Sequence, residues 1–272
     1  MSTFNLAAYT ELRDSLTTIT VSAAEAIRIA QVEGGVQIKA DGSPVTAADK
    51  AAEAVIRAGL VRLTPNLPIV SEEEADNERP AVNTGSYFLV DPLDGTKEFI
   101  SGRDEYTINI ALVVEGTPII GVIAAPAQGI IWRGIVGHGA DRLEFSGQRA
   151  ASPQAIKTRP RPRDELVVMV SRSHLEARTQ AYLDGFPRTR RIGCGSSVKF
   201  CRLAEGAADL YPRLAPTHDW DIAAGHAILT AAGGSVAAPD GSPLIYGTAD
   251  LLIPAFVAWG DPAAATIEQL RA

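Results

Sequence analysis

The stretch YFLVDPLDGT, residues 87–96, decides the fold of this chain. Its apolar first part, residues 87–90, predicts a strand. Pro92 and Gly95 predict a turn after it, because proline fixes φ and glycine adopts backbone angles that other residues avoid. Asp91 and Asp94 would then meet at one sheet edge, where at about 4 Å two carboxylates repel by about 4 kcal/mol at an effective dielectric near 20. Such a pair favours magnesium or manganese over zinc. The alternative is an ordinary turn that ends a strand.

Composition describes a soluble globular protein of ordinary balance. The chain has 272 residues, of which 46% are hydrophobic and 21% charged, enough for one large domain or two modest ones. Its formal net charge of −7 argues against a nucleic-acid polymer as partner, whereas a small anion can bind where local cations reverse the sign.

Two cysteines, Cys194 and Cys201, form neither a disulfide framework nor a metal set, which favours the cytoplasm. The first residues lack the basic and apolar regions of a signal peptide, and no apolar run reaches the roughly 20 residues of a transmembrane helix. Peripheral association with the inner membrane stays open. Oligomeric state, monomer or homodimer, is not fixed by these observations.

The first half of the chain predicts two helices followed by strands. Apolar spacing near 3.6 predicts a helix over 9–32, and Thr46 with Asp49 three residues later predicts a capped second helix that ends near Leu63. Strands are expected at 69–70, 106–114, 118–125 and 130–136, and the short turns between the last three predict antiparallel pairing.

The second half alternates strands and helices, which predicts a layered α/β architecture. Strands are expected at 166–171, 208–211 and 251–258, and helices at 174–183, up to about 205, at 220–232 and at 262–270. The polar stretch 137–164 separates the halves, so we expect a metal-bearing half over 1–145 and a second half over 146–272.

Four acidic positions lie where an apolar element begins or ends: Asp49, Glu72, the Asp91/Asp94 pair and Asp221. For the neighbouring acids Glu73, Glu74, Asp76 and Glu78 a solvated surface is the simpler interpretation. Asp221 has its own alternative, that of an N-cap before the alanine-rich helix.

Four sequence blocks carry a family resemblance. They are residues 42–49 (GSPVTAAD), 71–73 (SEE), 91–96 (DPLDGT) and 220–225 (WDIAAG). In this order they resemble the signature blocks of the inositol monophosphatase superfamily. The stretches KEFI at 97–100, GSSVKFC at 195–201 and LYPR at 210–213 resemble its bacterial CysQ type, which are 3′(2′),5′-bisphosphate nucleotidases. The resemblance implies an αβαβα sandwich with the active site between the two halves.

The resemblance also implies the roles of the site residues. It assigns two or three Mg²⁺ ions, with Mn²⁺ as an alternative, to Glu72, Asp91, the backbone carbonyl of Leu93, Asp94 and Asp221. Closely spaced metals clamp the attacking and leaving oxygens of a phosphoryl transfer. Thr96, paired with Asp49, would orient and deprotonate the attacking water. Gly95 and Thr96 would open a helix whose N–H groups face a phosphate oxygen.

Substrate choice depends on a second set of residues. Lys97 and Arg213 suit a substrate with a second phosphate, and Gly195, Ser196 and Ser197 could bind ribose or phosphate. Solvated surface charge is the alternative for Lys97 and Arg213, and helix capping for the two serines. His218 has no assigned role.

The function expected from the resemblance is Mg²⁺-dependent, lithium-sensitive hydrolysis of the 3′-phosphate of 3′-phosphoadenosine 5′-phosphate, or of its sulfated precursor, a chemistry of sulfur assimilation. One rival is the same chemistry on inositol monophosphate or a sugar bisphosphate. A rival of another class is a phosphonucleotide sensor without catalysis, against which the intact ligand and activator residues argue.

Overall fold

The computed structural model describes residues 6–33, 35–38, 42, 44–74, 85–172 and 176–264. Several expected features lie outside these residues, namely Asp76 and Glu78, the first two residues of the helix expected at 174–183, and most of the helix expected at 262–270. No helix within the described ranges combines the length and the apolar character needed to cross a membrane.

The described residues form six helices and seventeen strands. The helices are α1 (Leu6–Glu33), α2 (Ala47–Leu63), α3 (Thr96–Ile100), α4 (Ala177–Asp184), α5 (Val198–Ala204) and α6 (Asp219–Ala231). The strands are β1 (Val36–Ile38), β2 (Pro44–Thr46), β3 (Ile69–Ser71), β4 (Ser86–Asp94), β5 (Thr107–Val114), β6 (Thr117–Ala125), β7 (Ile130–Ile135), β8 (Gly139–Ser146), β9 (Arg149–Ala150), β10 (Gln154–Ile156), β11 (Leu166–Ser171), β12 (Thr189–Cys194), β13 (Leu210–Arg213), β14 (Thr217–His218), β15 (Ser235–Ala237), β16 (Leu252–Ile253) and β17 (Phe256–Trp259).

Two sheets form the frame of the molecule. The larger has the order β10-β8-β7-β6-β5-β4-β3, with β9 paired to β8. Its β5–β6 and β6–β7 pairs are antiparallel, as the short turns predict, and only the β3–β4 pair on this path is parallel. The smaller sheet has the order β12-β11-β13-β17-β15 and is parallel from β12 to β13.

Side-chain alternation along β4 divides the core into layers. Phe88 packs in one cluster with residues of α1 and α2, and Leu89 packs on the opposite face in a cluster that includes Phe200 of α5. A third cluster joins Val168 of β11 to Leu183 of α4 on the far side of the smaller sheet. The layers therefore run helix, sheet, helix, sheet, helix, and the αβαβα prediction is confirmed.

The helix α6 approaches its neighbours through glycines. A Cβ on Gly121 of β6 would lie 2.2 Å from the carbonyl oxygen of Ala224, and one on Gly225 would lie 2.4 Å from the ring of Phe200. Both distances are shorter than van der Waals contact, so α6 packs on β6 and α5 only because these positions lack side chains.

Several elements differ from the sequence-based expectation. The strand β4 continues past Val90 to Asp94, because a bulge between Asp91 and Asp94 lets Pro92 sit in the strand without donating a hydrogen bond. The single strand expected at 251–258 is two strands, β16 and β17, that pair with different partners.

The polar stretch 137–164 holds the three strands β8, β9 and β10, which the sequence did not suggest because their faces are mostly polar and exposed. The strand β10 belongs to the larger sheet, which therefore continues to Ile156. The division into halves at residue 145 stays a prediction.

Candidate active site

The two aspartates of the opening stretch lie at the end of β4. Asp91 is opposite Asn109 of β5 and Asp94 is opposite Thr107, so the bulge places two residues of β4 against the single Ile108. The Asp91 side chain is 1% exposed and accepts a hydrogen bond from the Leu93 N–H at 3.0 Å. Asp94 is half-buried.

Electrostatics indicate that four carboxylates share one region. Burial raises the pKa of Asp91 well above its ordinary value, and the charges of Glu72, Asp94 and Asp221 raise it further. Burial and the charge of Asp221 raise the pKa of Asp94 to about 6, against the opposing effect of Lys199. Burial and the repulsion between the carboxylates both disfavour the charged forms, and a divalent cation would offset both effects.

The strand β3 brings Glu72 into this region. Ser71, the last residue of β3, pairs with Val90 of β4 in a parallel register. The residues that follow them, Glu72 and Asp91, therefore lie side by side at the same edge of the sheet. Residues Glu72–Glu74 form one 3₁₀ turn. The sequence prediction that Glu72 joins the Asp91/Asp94 pair is consistent with this placement.

Asp221 lies in the first turn of α6, and it is not the N-cap. His218 occupies the cap position, and its backbone N–H donates to Asp221 Oδ2 at 3.1 Å, while the Thr217 hydroxyl donates to the same oxygen. The His218 ring is stacked on Trp220, with centroids 4.4 Å apart. The N-cap alternative for Asp221 is therefore wrong, because Asp221 reaches back to the cap from the third helical position.

Asp49 and Thr96 form a pair, as the family resemblance implies. The Thr96 hydroxyl lies 3.2 Å from Asp49 Oδ1 and 3.2 Å from the Leu93 carbonyl oxygen. The other Asp49 oxygen accepts from the Thr46 N–H at 2.7 Å and the Thr46 hydroxyl at 2.5 Å, which completes the predicted capping box of α2. Asp49 is 1% exposed, so both its oxygens are fixed in orientation.

A group of polar residues lies behind Asp94, and of these the sequence analysis named only Ser197, as a candidate binder of ribose or phosphate. The Ser197 N–H donates to Asp94 Oδ2 at 2.7 Å, and the Ser197 hydroxyl donates to Asn109 Oδ1 at 2.7 Å and lies 2.7 Å from the Thr107 hydroxyl. The ammonium of Lys199, 3% exposed, donates to the carbonyls of Cys194 and Ser196. Thr107 and Asn109 alternate within an otherwise apolar strand, and that alternation is the signal that could have revealed them.

The predicted substrate-binding residues differ in exposure and in the hydrogen bonds that they make within the protein. Gly95 has a left-handed φ of 93° and caps the short helix α3, which begins at Thr96 as expected. Lys97 is exposed, and an Arg213 N–H donates to the Pro216 carbonyl at 3.3 Å. Gly195 donates its N–H to Glu105 at 2.9 Å, and the Ser196 hydroxyl lies 2.5 Å from that of Thr107.

Ser197 is 2% exposed and both its polar groups are used inside the protein. Its contacts are those of a support for Asp94. Substrate binding by Ser197, Ser196, Gly195, Lys97 and Arg213 stays a prediction.

The donor set fits a hard divalent cation in its chemistry, because it consists of carboxylate oxygens and one backbone carbonyl. Within the described part of the chain, no three Asp, Glu, His or Cys side chains converge closely enough to enclose an ion as they stand. One carboxylate oxygen of Asp94 and one of Asp221 already accept hydrogen bonds from backbone N–H groups. The ligand assignment therefore stays a prediction.

Comparison with known proteins gives a consistent family match. A model of the inositol monophosphatase family matches residues 6–272. The 3′(2′),5′-bisphosphate nucleotidase CysQ of Escherichia coli is 46% identical over 208 residues, which cover 76% of this chain and 81% of that protein. The protein of the same name from Buchnera aphidicola is 40% identical over 211 residues, covering 78% and 77% of the two chains.

Solved structures agree with this match. The crystal structure of CysQ from Bacteroides thetaiotaomicron superposes with a TM-score of 0.78 at 34% identity, covering 92% of this chain and 97% of that one. An inositol monophosphatase from Anabaena superposes with a TM-score of 0.76 at 24% identity, covering 97% and 96%, and shows the shared fold.

Proposed function

Because this chain belongs to the inositol monophosphatase family, a family of phosphatases, we propose that it is a magnesium-dependent 3′(2′),5′-bisphosphate nucleotidase. Its reaction is removal of the 3′-phosphate of 3′-phosphoadenosine 5′-phosphate, which yields AMP and phosphate. The observation that carries this proposal is the set of mutually repelling carboxylates beside the Thr96–Asp49 pair. The 46% identity to the nucleotidase of Escherichia coli supports the choice of substrate.

The metal-holding residues are Glu72, Asp91, Asp94, Asp221 and the Leu93 carbonyl, with two or three Mg²⁺ ions among them. Bound magnesium supplies Lewis acidity and neutralises charge on the phosphoryl group. Asp91 is the most buried of these carboxylates, and its pKa is raised first by burial and then by the charges of the other three. Asp94 is oriented from behind by the Ser197 N–H.

Thr96 and Asp49 handle the proton of the attacking water. The Thr96 hydroxyl has one proton and two acceptors at 3.2 Å, the Leu93 carbonyl and Asp49. If the Leu93 carbonyl oxygen is a metal ligand, the Thr96 hydroxyl donates its hydrogen bond to Asp49 Oδ1. The lone pairs of Thr96 Oγ then accept a hydrogen bond from water, so the proton of water can pass through Thr96 to Asp49.

Specificity for a second phosphate is assigned to the cationic side chains of Lys97 and Arg213. Lys97 follows Thr96 directly and projects into solvent. Arg213 offers a planar fork that suits a phosphate, and its hydrogen bond to the Pro216 carbonyl leaves other guanidinium N–H groups for a ligand. A substrate with one phosphate gains nothing from such a pair.

A substrate panel tests the proposal directly. Phosphate release is measured with purified protein in Mg²⁺ on 3′-phosphoadenosine 5′-phosphate, its sulfated precursor, inositol 1-phosphate and fructose 1,6-bisphosphate, each with and without lithium. We expect the two adenosine bisphosphates to be hydrolysed fastest and lithium to inhibit. Equal or faster hydrolysis of inositol 1-phosphate or the sugar bisphosphate contradicts the assignment of substrate. Binding of the nucleotide without any phosphate release indicates a sensor.

A further inference from the structure

A buried carboxylate outside the predicted ligand set joins α2 to the end of β3. Glu53 lies one helical turn after Asp49 and is 8% exposed. Its Oε2 accepts a hydrogen bond from the Ser71 hydroxyl at 2.5 Å, and its Oε1 accepts from Arg57 Nε at 3.2 Å. Ser71 is 2% exposed, so this contact is sheltered from water.

The contact is a strong one. A buried carboxylate is costly unless it is paired and hydrogen-bonded, and Glu53 meets both conditions through Ser71 and Arg57. A hydroxyl that donates to a carboxylate at this distance is in the range of charge-assisted hydrogen bonds. Because Glu53 and Ser71 belong to different elements, the bond restrains α2 and β3 relative to each other.

The restraint acts at the point where Glu72 leaves the strand. Ser71 is the last residue of β3 and pairs with Val90, so its backbone sets where Glu72 begins beside Asp91. The side chain of Ser71 therefore points toward the helix while the next residue enters the acidic region. A shift of Ser71 would move Glu72 with it.

We propose that Glu53 is a positioning residue for the metal site, which it serves by holding Ser71 and thereby the backbone from which Glu72 projects. This inference rests on the proposed function, since it takes Glu72 as a metal ligand. The helix α2 then fixes both sides of the site, because Asp49 contacts Thr96 while Glu53 contacts Ser71.

Metal binding without substrate tests this proposal. Mn²⁺ binding is measured by calorimetry on wild type, Glu53→Ala, Ser71→Ala and the double variant. Mutation of a residue that orients a metal ligand typically costs about 10-fold to 100-fold in metal affinity, and we expect a loss near the lower end for Glu53→Ala. We expect the double variant to be no weaker than Glu53→Ala alone, because both changes remove the same contact.

Two further variants separate positioning from general stability. Glu53→Gln keeps an oxygen for the Ser71 hydroxyl and is expected to recover most of the affinity. Glu25→Ala removes a carboxylate paired with Arg28 on α1, and is the matched control that should bind Mn²⁺ as wild type does. Melting temperatures are recorded for every variant. If Glu53→Ala does not fold, Ser71→Ala, which removes a single oxygen atom, tests the same contact.

The outcomes distinguish this proposal from the proposed function. Unchanged Mn²⁺ affinity in folded Glu53→Ala or Ser71→Ala, whatever the melting temperature, overturns the positioning role, as does a wild type that binds no Mn²⁺. A wild type that binds Mn²⁺ but releases no phosphate from the bisphosphates refutes the proposed function and leaves the calorimetric comparison valid. In activity assays, the Mg²⁺ concentration that gives half-maximal rate should be higher for Glu53→Ala than for wild type. The KM for substrate at saturating Mg²⁺ should stay the same.

Discussion

At the scale of single residues, Asp91 and Asp94 have the same side chain but differ in burial and in their hydrogen-bond donors. Asp91 is almost fully buried and accepts only the Leu93 N–H among the hydrogen bonds described, whereas Asp94 is half-buried and accepts a hydrogen bond from Ser197. Both have a raised pKa, because burial and neighbouring carboxylates disfavour their charged forms. Removal of one of these charges therefore lowers repulsion in the folded protein while it removes a proposed metal ligand.

Asp94→Asn is predicted to abolish nearly all turnover and to leave the fold intact. The amide keeps the shape of the side chain but removes the negative charge that a metal ligand needs here. Phosphate release in Mg²⁺ measures activity, and circular dichroism checks the fold. Turnover within a few-fold of wild type contradicts a ligand role for Asp94.

Thr96→Val is predicted to lower kcat by about a hundredfold to ten-thousandfold, the usual contribution of a positioned acid–base group. Valine keeps the volume of threonine and removes the hydroxyl that contacts Asp49. Thr96→Ser is the control and should retain most of the rate because the hydroxyl remains. Equal rates for the valine and serine variants contradict a proton-transfer role.

His226 is predicted to weaken the fold in acid. Burial lowers its pKa to about 4, and its Nδ1 lies 2.9 Å from the Tyr246 hydroxyl. Since the unfolded chain binds a proton near pH 6.5 and the folded protein does not, stability from this residue is lost as pH falls from about 6.5 to 4.

Denaturant unfolding of wild type and His226→Gln between pH 7 and 4.5 measures this effect. The free energy of unfolding should fall more steeply in wild type, since the other titrating groups are shared by both proteins. Parallel pH profiles contradict the prediction.

At the scale of elements, the site depends on how three of them begin or end. The capping box of α2 orients Asp49, the bulge of β4 brings Asp91 and Asp94 together, and the first turn of α6 carries Asp221. The sequence predicted the capping box in full, because it is a local pattern of Thr46 and Asp49. It did not predict the bulge, which exists only relative to the register of β5.

Gly121→Ala is predicted to destabilise the protein by about 1 to 3 kcal/mol, the usual cost of overpacking. The added Cβ would meet the backbone of α6 at 2.2 Å, and backbone cannot rotate away. Gly193→Ala is the matched control, since its Cβ would meet its nearest neighbour at 3.9 Å. Chemical denaturation measures both variants, and equal stabilities contradict the packing of α6 on β6.

At the scale of the whole molecule, the candidate site draws on several layers. The helix α2 covers one face of the larger sheet, β3 and β4 belong to that sheet, and α6 lies on its other face. A cation bound by residues of these elements would be linked to folding, because the unfolded chain does not bring them together.

Mg²⁺ is therefore predicted to raise the melting temperature of wild type. A ligand that binds only the folded state stabilises it by about 2.7 kcal/mol at 100 times its dissociation constant. A thermal scan with and without EDTA measures the shift, and Asp94→Asn should lose most of it. A shift of equal size in that variant places the cation elsewhere.

The sequence by itself determined the local chemistry of this protein. Hydrophobic periodicity, short turns and the Thr46–Asp49 cap predicted the layered fold, the long helices and the apolar strands, because these signals depend on neighbouring residues alone. The order of its motifs likewise identified the family and the carboxylates at the ends of apolar segments.

Tertiary structure alone decided which groups support those carboxylates. Ser197 is 103 residues from Asp94, and Ser71 is 18 residues from Glu53, so neither contact has a sequence pattern of its own. The bulge of β4, the strands in the polar stretch and the buried polar residues of β5 have the same cause. Each depends on which distant segment packs against it, and burial then makes its hydrogen bonds obligatory.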